Sequence, residues 1–193
     1  MKVNRFYRFA RAIVWAVLKV FFPSRVIGAH NIPAEGPVLL CCNHVSMLDP
    51  LFLACSTKRQ ITYLAKKELF GNAFTNWLFR ALGMVPVDRG ASDIQALRTC
   101  LEVLAGGGLL GIFPQGHRYR QDESREIQNG AAMMALRSKA TVIAAHVTPF
   151  KMMRCTTVRY SEPIDLSDMT RASSQALQTV SERIALNIWQ EDK

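Results

Sequence analysis

Seven short apolar runs alternate with stretches of helical periodicity along this chain, and that alternation constrains its fold more than any other feature. The runs fall at 25–28, 38–42, 61–64, 85–87, 109–113, 141–147 and 156–160. Their length suits strands better than helices. Helical patterns fit between and after them, at 50–56, 72–82, 92–105, 128–139 and 173–190. A strand that pairs in parallel with its successor needs a crossover, usually a helix. The pattern therefore predicts an α/β domain with a mixed, largely parallel sheet flanked by helices. With 193 residues, 49% of them hydrophobic and 20% charged, the chain can bury such a core as one domain without disulfide or metal staples.

The segment Gly106-Gly107-Gly108 sits where a helical pattern gives way to an apolar run. Three glycines bring phosphate loops to mind, but neither a Walker pattern nor a dinucleotide fingerprint surrounds them. A helix C-cap is the expected role.

Charge is distributed unevenly. Residues 1–30 hold Lys2, Arg5, Arg8, Arg11, Lys19 and Arg25 and no acid, leaving eighteen bases against fifteen acids elsewhere. Of the net charge of +9, only +3 therefore lies beyond this segment. From about Phe6 to Phe22 the segment reads as an amphipathic helix. Phe6, Phe9, Ala10, Ile13, Val17, Val20 and Phe21 recur at three- and four-residue steps. Arg8, Arg11 and Lys19 fall opposite, with Trp15 between them, and Pro23 ends the pattern. Lys19 cuts the apolar run well short of the roughly 20 residues that a spanning helix needs. No small-x-small cleavage site follows it. A basic, acid-free helix with aromatics suits the headgroup layer of an anionic membrane surface; the plainer alternative is a helix packed on the domain. No nucleic-acid recognition motif accompanies the charge, so nucleic acid is not an expected partner.

Cys41, Cys42, Cys55, Cys100 and Cys155 include no Cys-x-x-Cys pair. An odd count without that spacing argues against a disulfide framework or a zinc site, and for a reducing compartment.

The residues that carry chemistry lie at the ends of apolar runs. Run 38–42 leads into Asn43 and His44, and Asp49-Pro50 opens a helical pattern five residues later. That loop is long enough to bring Asp49 back to the imidazole, where a carboxylate fixes the tautomer and stabilises the imidazolium formed when the other nitrogen takes a proton. Each residue also has a structural reading. Asp before Pro is a good N-cap, and a strand-end histidine is commonly a satisfied core residue. Ser46 lacks the glycines of a nucleophile elbow, which favours direct transfer over a covalent intermediate. Arg89 follows run 85–87, and Arg118 follows run 109–113 through Pro114-Gln115-Gly116-His117. Two guanidinium forks from neighbouring strand ends can clamp one phosphate. A base and two phosphate anchors describe a site for a phosphorylated alcohol.

These motifs resemble those of the glycerolipid acyltransferases, particularly the 1-acylglycerol-3-phosphate acyltransferases. Asn43-His44-x-x-x-x-Asp49 is similar to their His-x4-Asp motif. Gly83-x-x-Pro86-Val87-Asp88-Arg89 resembles the second block, and Phe113-Pro114-x-Gly116-x-Arg118 the third, in the same order and at similar spacing. Tyr63-Leu64-Ala65-Lys66-Lys67-Glu68-Leu69-Phe70 looks like the basic segment between the first two. The resemblance covers about residues 25–147. With the basic N-terminal pattern read above, it divides the chain into an interfacial helix over 1–23 and an acyltransferase domain over 24–193, peripheral or monotopic at the cytoplasmic membrane face. It further implies that His44 is the base, oriented by Asp49, for attack of a lysophospholipid hydroxyl on acyl-CoA or an acylated carrier protein. Arg89 and Arg118 would hold the acceptor phosphate. Asn43, Lys66, Gln115 and Gly116 complete the expected substrate-binding set, and no metal or bound cofactor is required.

Gln115 and His117 depart from the family pattern, which usually has Glu and Thr there. Gln exchanges an ionised acceptor for an amide that both donates and accepts. The apolar run 141–147 lacks the prolines of the fourth block, so no role carries over to it. The competing readings are a thioesterase, with water in place of the alcohol, and a non-catalytic basic lipid-binding protein.

Overall fold

A computed structural model describes residues 5–87, 93–116, 118, 127–169 and 173–190. Within them the chain forms seven strands: β1 (Ser24–Ile27), β2 (Val38–Cys42), β3 (Ile61–Lys66), β4 (Met84–Val87), β5 (Leu109–Ile112), β6 (Thr141–Val147) and β7 (Thr156–Tyr160). It also forms six α-helices: α1 (Arg5–Phe21), α2 (Asp49–Ser56), α3 (Ala73–Ala81), α4 (Asp93–Ala105), α5 (Asn129–Ser138) and α6 (Ser174–Ile188). The strands build one sheet in the order β1-β7-β6-β2-β5-β3-β4. Neighbours run parallel except β6 and β7, so β1 and β7 oppose the other five. The mixed, largely parallel sheet expected from the alternation is the one observed.

Position in the sheet explains composition. β2 lies at the centre, and all five of its residues are buried, as a strand covered on both faces requires. Successive side chains point to opposite faces. Val38, Leu40 and Cys42 join Phe52 and Leu53 of α2 and Leu18 of α1. Leu39 and Cys41 join Leu104 of α4, Ala131, Ala132 and Ala135 of α5, and Val180, Ile184 and Ile188 of α6. Two helices cover one face and three the other. The small side chains of α5 let that helix lie close to the strands, and burial pushes the Cys41 thiol up to about 12.

Local signals set the helix ends. Asn72 caps α3 in a reciprocal box with Thr75, and Ser173 caps α6 through the amide of Ala176. The triple glycine is the expected C-cap. Gly107 takes φ +71°, its amide donates to Leu104 O at 2.9 Å, and Gly108 N donates to Val103 O at 3.0 Å. This is the paired bonding of a Schellman motif, with Gly107 in the left-handed conformation that other residues avoid.

Helix α1 corrects the simple amphipathic picture, because it has two apolar faces. Tyr7 and Leu18 are buried, and Val14, Trp15 and Phe22 pack on the core; Trp15 meets Phe52 edge-on at 6.3 Å. Arg11, assigned to the polar side from sequence, reaches across to Thr57 O at 2.5 Å. The stripe that the periodicity selected points outward, away from the core, with Phe9 65% and Val20 67% exposed and Ile13, Val17 and Phe21 also exposed. Among the described residues no helix is long and apolar enough to cross a membrane.

Candidate active site

The strand-end residues converge at the carboxyl edge of the parallel strands, the usual ligand edge of an α/β sheet. Asn43 and His44 leave β2, while Pro114, Gln115 and Gly116 follow β5 on one side of it. His44 Nδ1 lies 2.8 Å from Asp49 Oδ2. The same oxygen accepts from Val45 N at 2.7 Å and Ser46 N at 2.8 Å. Asp49 therefore does not cap its own helix: Leu48 occupies the cap position without a side-chain bond, and the carboxylate turns back into the loop. Asp49 is fully buried, and its Oδ1 has no partner among the described residues. A charge removed from water in this way is tolerable only with strong hydrogen bonds, and three of them converge on Oδ2.

With Nδ1 held by the carboxylate, Nε2 is the nitrogen free for a substrate. The ring stacks on Phe113, centroids 4.1 Å apart at 23°, and Phe113 stacks in turn on Tyr63. Tyr63 is anchored through its hydroxyl to Pro50 O at 3.2 Å. His44 is thus fixed by a carboxylate at one edge and by an aromatic face.

Beside it lies a cleft of about 870 Å³. Tyr63, Leu64, Met84, Ile112, Phe113 and Met134 make its lining largely apolar, while His44, Lys66 and Arg118 supply the titratable groups. Lys66 and Arg118 are solvent-exposed. Gly116 lines the cleft with φ +77°, a conformation strained for any side chain, and a Cβ there would approach the Gln128 amide to 2.6 Å.

Two expected substrate-binding residues are placed otherwise. Asn43 is buried, donates from Nδ2 to Val147 O at 2.9 Å and accepts at Oδ1 from Val147 N at 2.8 Å. It ties the end of β2 to the end of β6 and does not line the cleft. Asn43→Ala is expected to cost about 1–3 kcal/mol of stability by removing these buried bonds. A melting-temperature drop of several degrees in thermal unfolding would register the loss. Gln115 is likewise buried and off the cleft wall; its Oε1 accepts from His44 N at 3.4 Å, while Nε2 has no partner among the described residues. For Asn43 the physical reason is that a short amide at the end of a central strand bonds the neighbouring backbone before it can reach solvent. Arg89 and His117 lie outside the described residues.

Sequence reasoning assigned no role to Phe113 or Tyr63, although both stood in quoted motifs. No local signal marked them: Phe113 follows β5, the neighbour of β2, and Tyr63 lies on β3 beyond it, an order that only the folded sheet reveals.

The sequence from residue 23 to 149 matches the family model described as Acyltransferase. The chain belongs to the acyltransferase family. It is therefore an acyltransferase, an enzyme that moves an acyl group from a donor to an acceptor. A 1-acyl-sn-glycerol-3-phosphate acyltransferase of Streptococcus pneumoniae is 29% identical over 191 residues, spanning 93% of this acyltransferase and 70% of that protein. The enzyme of the same name from Bacillus subtilis is 29% identical over 140 residues, 72% of this chain and 69% of its own. The crystal structure of the 1-acyl-sn-glycerophosphate acyltransferase PlsC from Thermotoga maritima shares the fold, with a TM-score of 0.72 at 19% identity, over 97% of this chain and 81% of that one.

Proposed function

We propose that this acyltransferase transfers an acyl chain from a thioester donor, acyl-CoA or acyl-carrier protein, to the free hydroxyl of a lysophospholipid, above all 1-acyl-glycerol 3-phosphate, giving phosphatidic acid. The observation that carries this reading is the His44–Asp49 pair opening on an apolar cleft that holds Lys66 and Arg118. Apolar walls suit acyl chains and the cations suit a phosphate, while a base with no nucleophile beside it among the described residues suits direct transfer. The names of the Streptococcus and Bacillus relatives agree with that chemistry.

In the proposed reaction His44 Nε2 takes the hydroxyl proton as the oxygen attacks the thioester carbonyl carbon. Asp49 stabilises the imidazolium that forms. The tetrahedral intermediate then collapses by breaking the C–S bond, and the leaving thiolate recovers the proton from His44. The products are an ester and a free thiol. Arg118, with Arg89, holds the acceptor phosphate, Lys66 assists, and Gly116 lets the loop backbone approach it closely.

The outer stripe of α1 serves as a membrane contact, with the basic residues beside it attracted to anionic lipid by about 1 kcal/mol each. Residues 1–23 are thus the interfacial element and 24–193 the acyl-transfer domain. Five free cysteines suit the reducing, cytoplasmic side of the membrane.

The direct test is the purified protein with a panel of lyso-acceptors and both donor types, read by product mass. Phosphatidic acid from lysophosphatidate is expected, whereas free fatty acid insensitive to added lysolipid would overturn the transfer reading in favour of hydrolysis. Arg118→Ala should raise KM for the acceptor by roughly 10- to 150-fold, the worth of a charge-assisted bond, while KM for the donor stays put. An unchanged acceptor dependence would remove Arg118 from the phosphate site.

A further inference from the structure

Besides α1, the described surface exposes large apolar side chains on two further elements that touch it. On α3, Phe74 is 66% exposed and Trp77 54%. Trp77 meets Phe6 near the start of α1 with ring centroids 4.9 Å apart. In the segment between β6 and β7, Met152 is 70% exposed and Met153 72%. Met153 N donates to Phe21 O at 3.1 Å, at the other end of α1. The outer stripe of α1 is therefore continued at its start by an aromatic pair and at its end by a methionine pair.

Charge identifies what such a surface meets. Helix α1 carries the exposed Arg5, Arg8 and Lys19, α3 carries Arg80, and the β6–β7 segment carries Lys151 and Arg154. Residues 5–22, 72–87 and 141–160 contain no Asp or Glu. An interface with a second copy of this chain would set these cations against each other, whereas anionic headgroups neutralise them. Methionine and aromatic side chains flanked by bases suit the headgroup–acyl boundary.

We infer that α1, the Phe74–Trp77 face of α3 and the Met152–Met153 turn form one three-element surface that docks on an anionic lipid bilayer. The inference rests on the proposed membrane contact of α1 and extends it. One amphipathic helix leaves a protein free to roll about the helix axis, while contacts from other elements at its two ends fix the orientation. The orientation matters for the cleft. Leu69 lines the cleft and is exposed, and the adjacent Phe70 packs on Phe79 of α3 at 5.6 Å. Docking through α3 thus brings that rim of the cleft to the lipid, where an acceptor already in the membrane can enter.

Flotation of the full chain with vesicles of phosphatidylcholine and phosphatidylglycerol tests the surface. Met152→Glu with Met153→Glu, and separately Phe74→Glu, are each expected to weaken partitioning by about tenfold or more, since each moves a charge into the acyl boundary. Leu186→Glu, equally exposed but on α6 in the opposite helix layer, should leave binding unchanged. A wild-type chain that does not float would overturn the α1 reading itself. Wild-type binding that survives both substitutions but is lost on Ile13→Glu with Val17→Glu would leave α1 as a lone anchor and overturn the extended surface. A dimer in sedimentation that the same substitutions disperse, without effect on flotation, would assign the surface to a second copy instead.

Polarity-sensitive labelling keeps the test independent of variant folding. Cys155, two residues beyond Met153, is exposed, whereas Cys41, Cys42 and Cys100 are buried and Cys55 is half-buried with its thiol pushed up to about 11. A dye on Cys155 should shift to shorter emission wavelength when vesicles are added. Unchanged emission in a chain that floats would show the turn standing clear of the bilayer.

Discussion

His44→Ala is expected to lower acyl transfer by about 10² to 10⁴, the usual worth of a general base, while the protein stays folded. The ring is partly exposed and contributes to the fold chiefly through its stack on Phe113, about 0.5–1.5 kcal/mol. For a chain of this size that is a melting shift of a few degrees. Val45 N and Ser46 N would still hold Asp49, so the loop keeps its shape. A rate loss without a matching loss of stability therefore marks the proton-transfer role. Wild-type transfer by this variant would sink it, whatever the geometry of the dyad.

The second large effect is expected at Asp49, where the substitution has to be chosen with care. Asp49→Asn is nearly isosteric, and the two backbone amides on Oδ2 decide which way the new amide turns. Its oxygen must stay at the Oδ2 position, because an NH2 there would face two donors. The NH2 then occupies the Oδ1 position, which has no partner among the described residues. Nδ1–H of His44 still finds an acceptor, so the tautomer survives and only the negative charge is lost. A hydrogen bond to a charged group is worth about 1.5–3 kcal/mol, and the transfer rate should fall roughly 10- to 150-fold. Measured kcat separates the outcomes: a loss of that size fits charge stabilisation of the imidazolium, and no loss would reduce Asp49 to a loop brace. Asp49→Ala is a poorer probe, since it also strands the amides of Val45 and Ser46 in the interior.

The readable parts of this protein are those where local pattern and tertiary environment demand the same thing. All seven apolar runs became strands, because a run such as Val38-Leu39-Leu40-Cys41-Cys42 has no polar face and must be covered on both sides. The triple glycine after α4 was legible because a left-handed C-cap is a local requirement. The pairing of His44 with Asp49 was legible as a possibility, since a five-residue separation permits the contact. Yet a capping aspartate was equally consistent with the same letters. What separates the two is that the carboxylate faces Val45 N and Ser46 N rather than the first turn of α2.

Sequence was silent where a residue's partner lies far along the chain. Asn43 reads as part of a site motif, but its amide is taken by Val147, 104 residues away. Gln115 reads as a departure within a site motif, and only the fold shows that its oxygen faces the backbone of His44 and that its side chain lies off the cleft wall. Phe113 supports the imidazole only because β5 pairs with β2, a neighbour relation that no local pattern encodes. The outward stripe of α1 is the same lesson in reverse: periodicity found a true apolar face, but not which of two apolar faces the core would take.

By itself, then, the sequence determined the α/β class, the strand and helix positions, and the candidate base with its carboxylate. Periodicity, capping and short loops are local, and they act before the chain is compact. The tertiary structure alone decided that Asp49 serves the imidazole and that Asn43 serves β6. It also decided that α3 meets the start of α1 through Trp77 and that the turn at Met153 meets its end. Those outcomes depend on strand order, which sets who meets whom across the sheet and is itself a property of the folded chain.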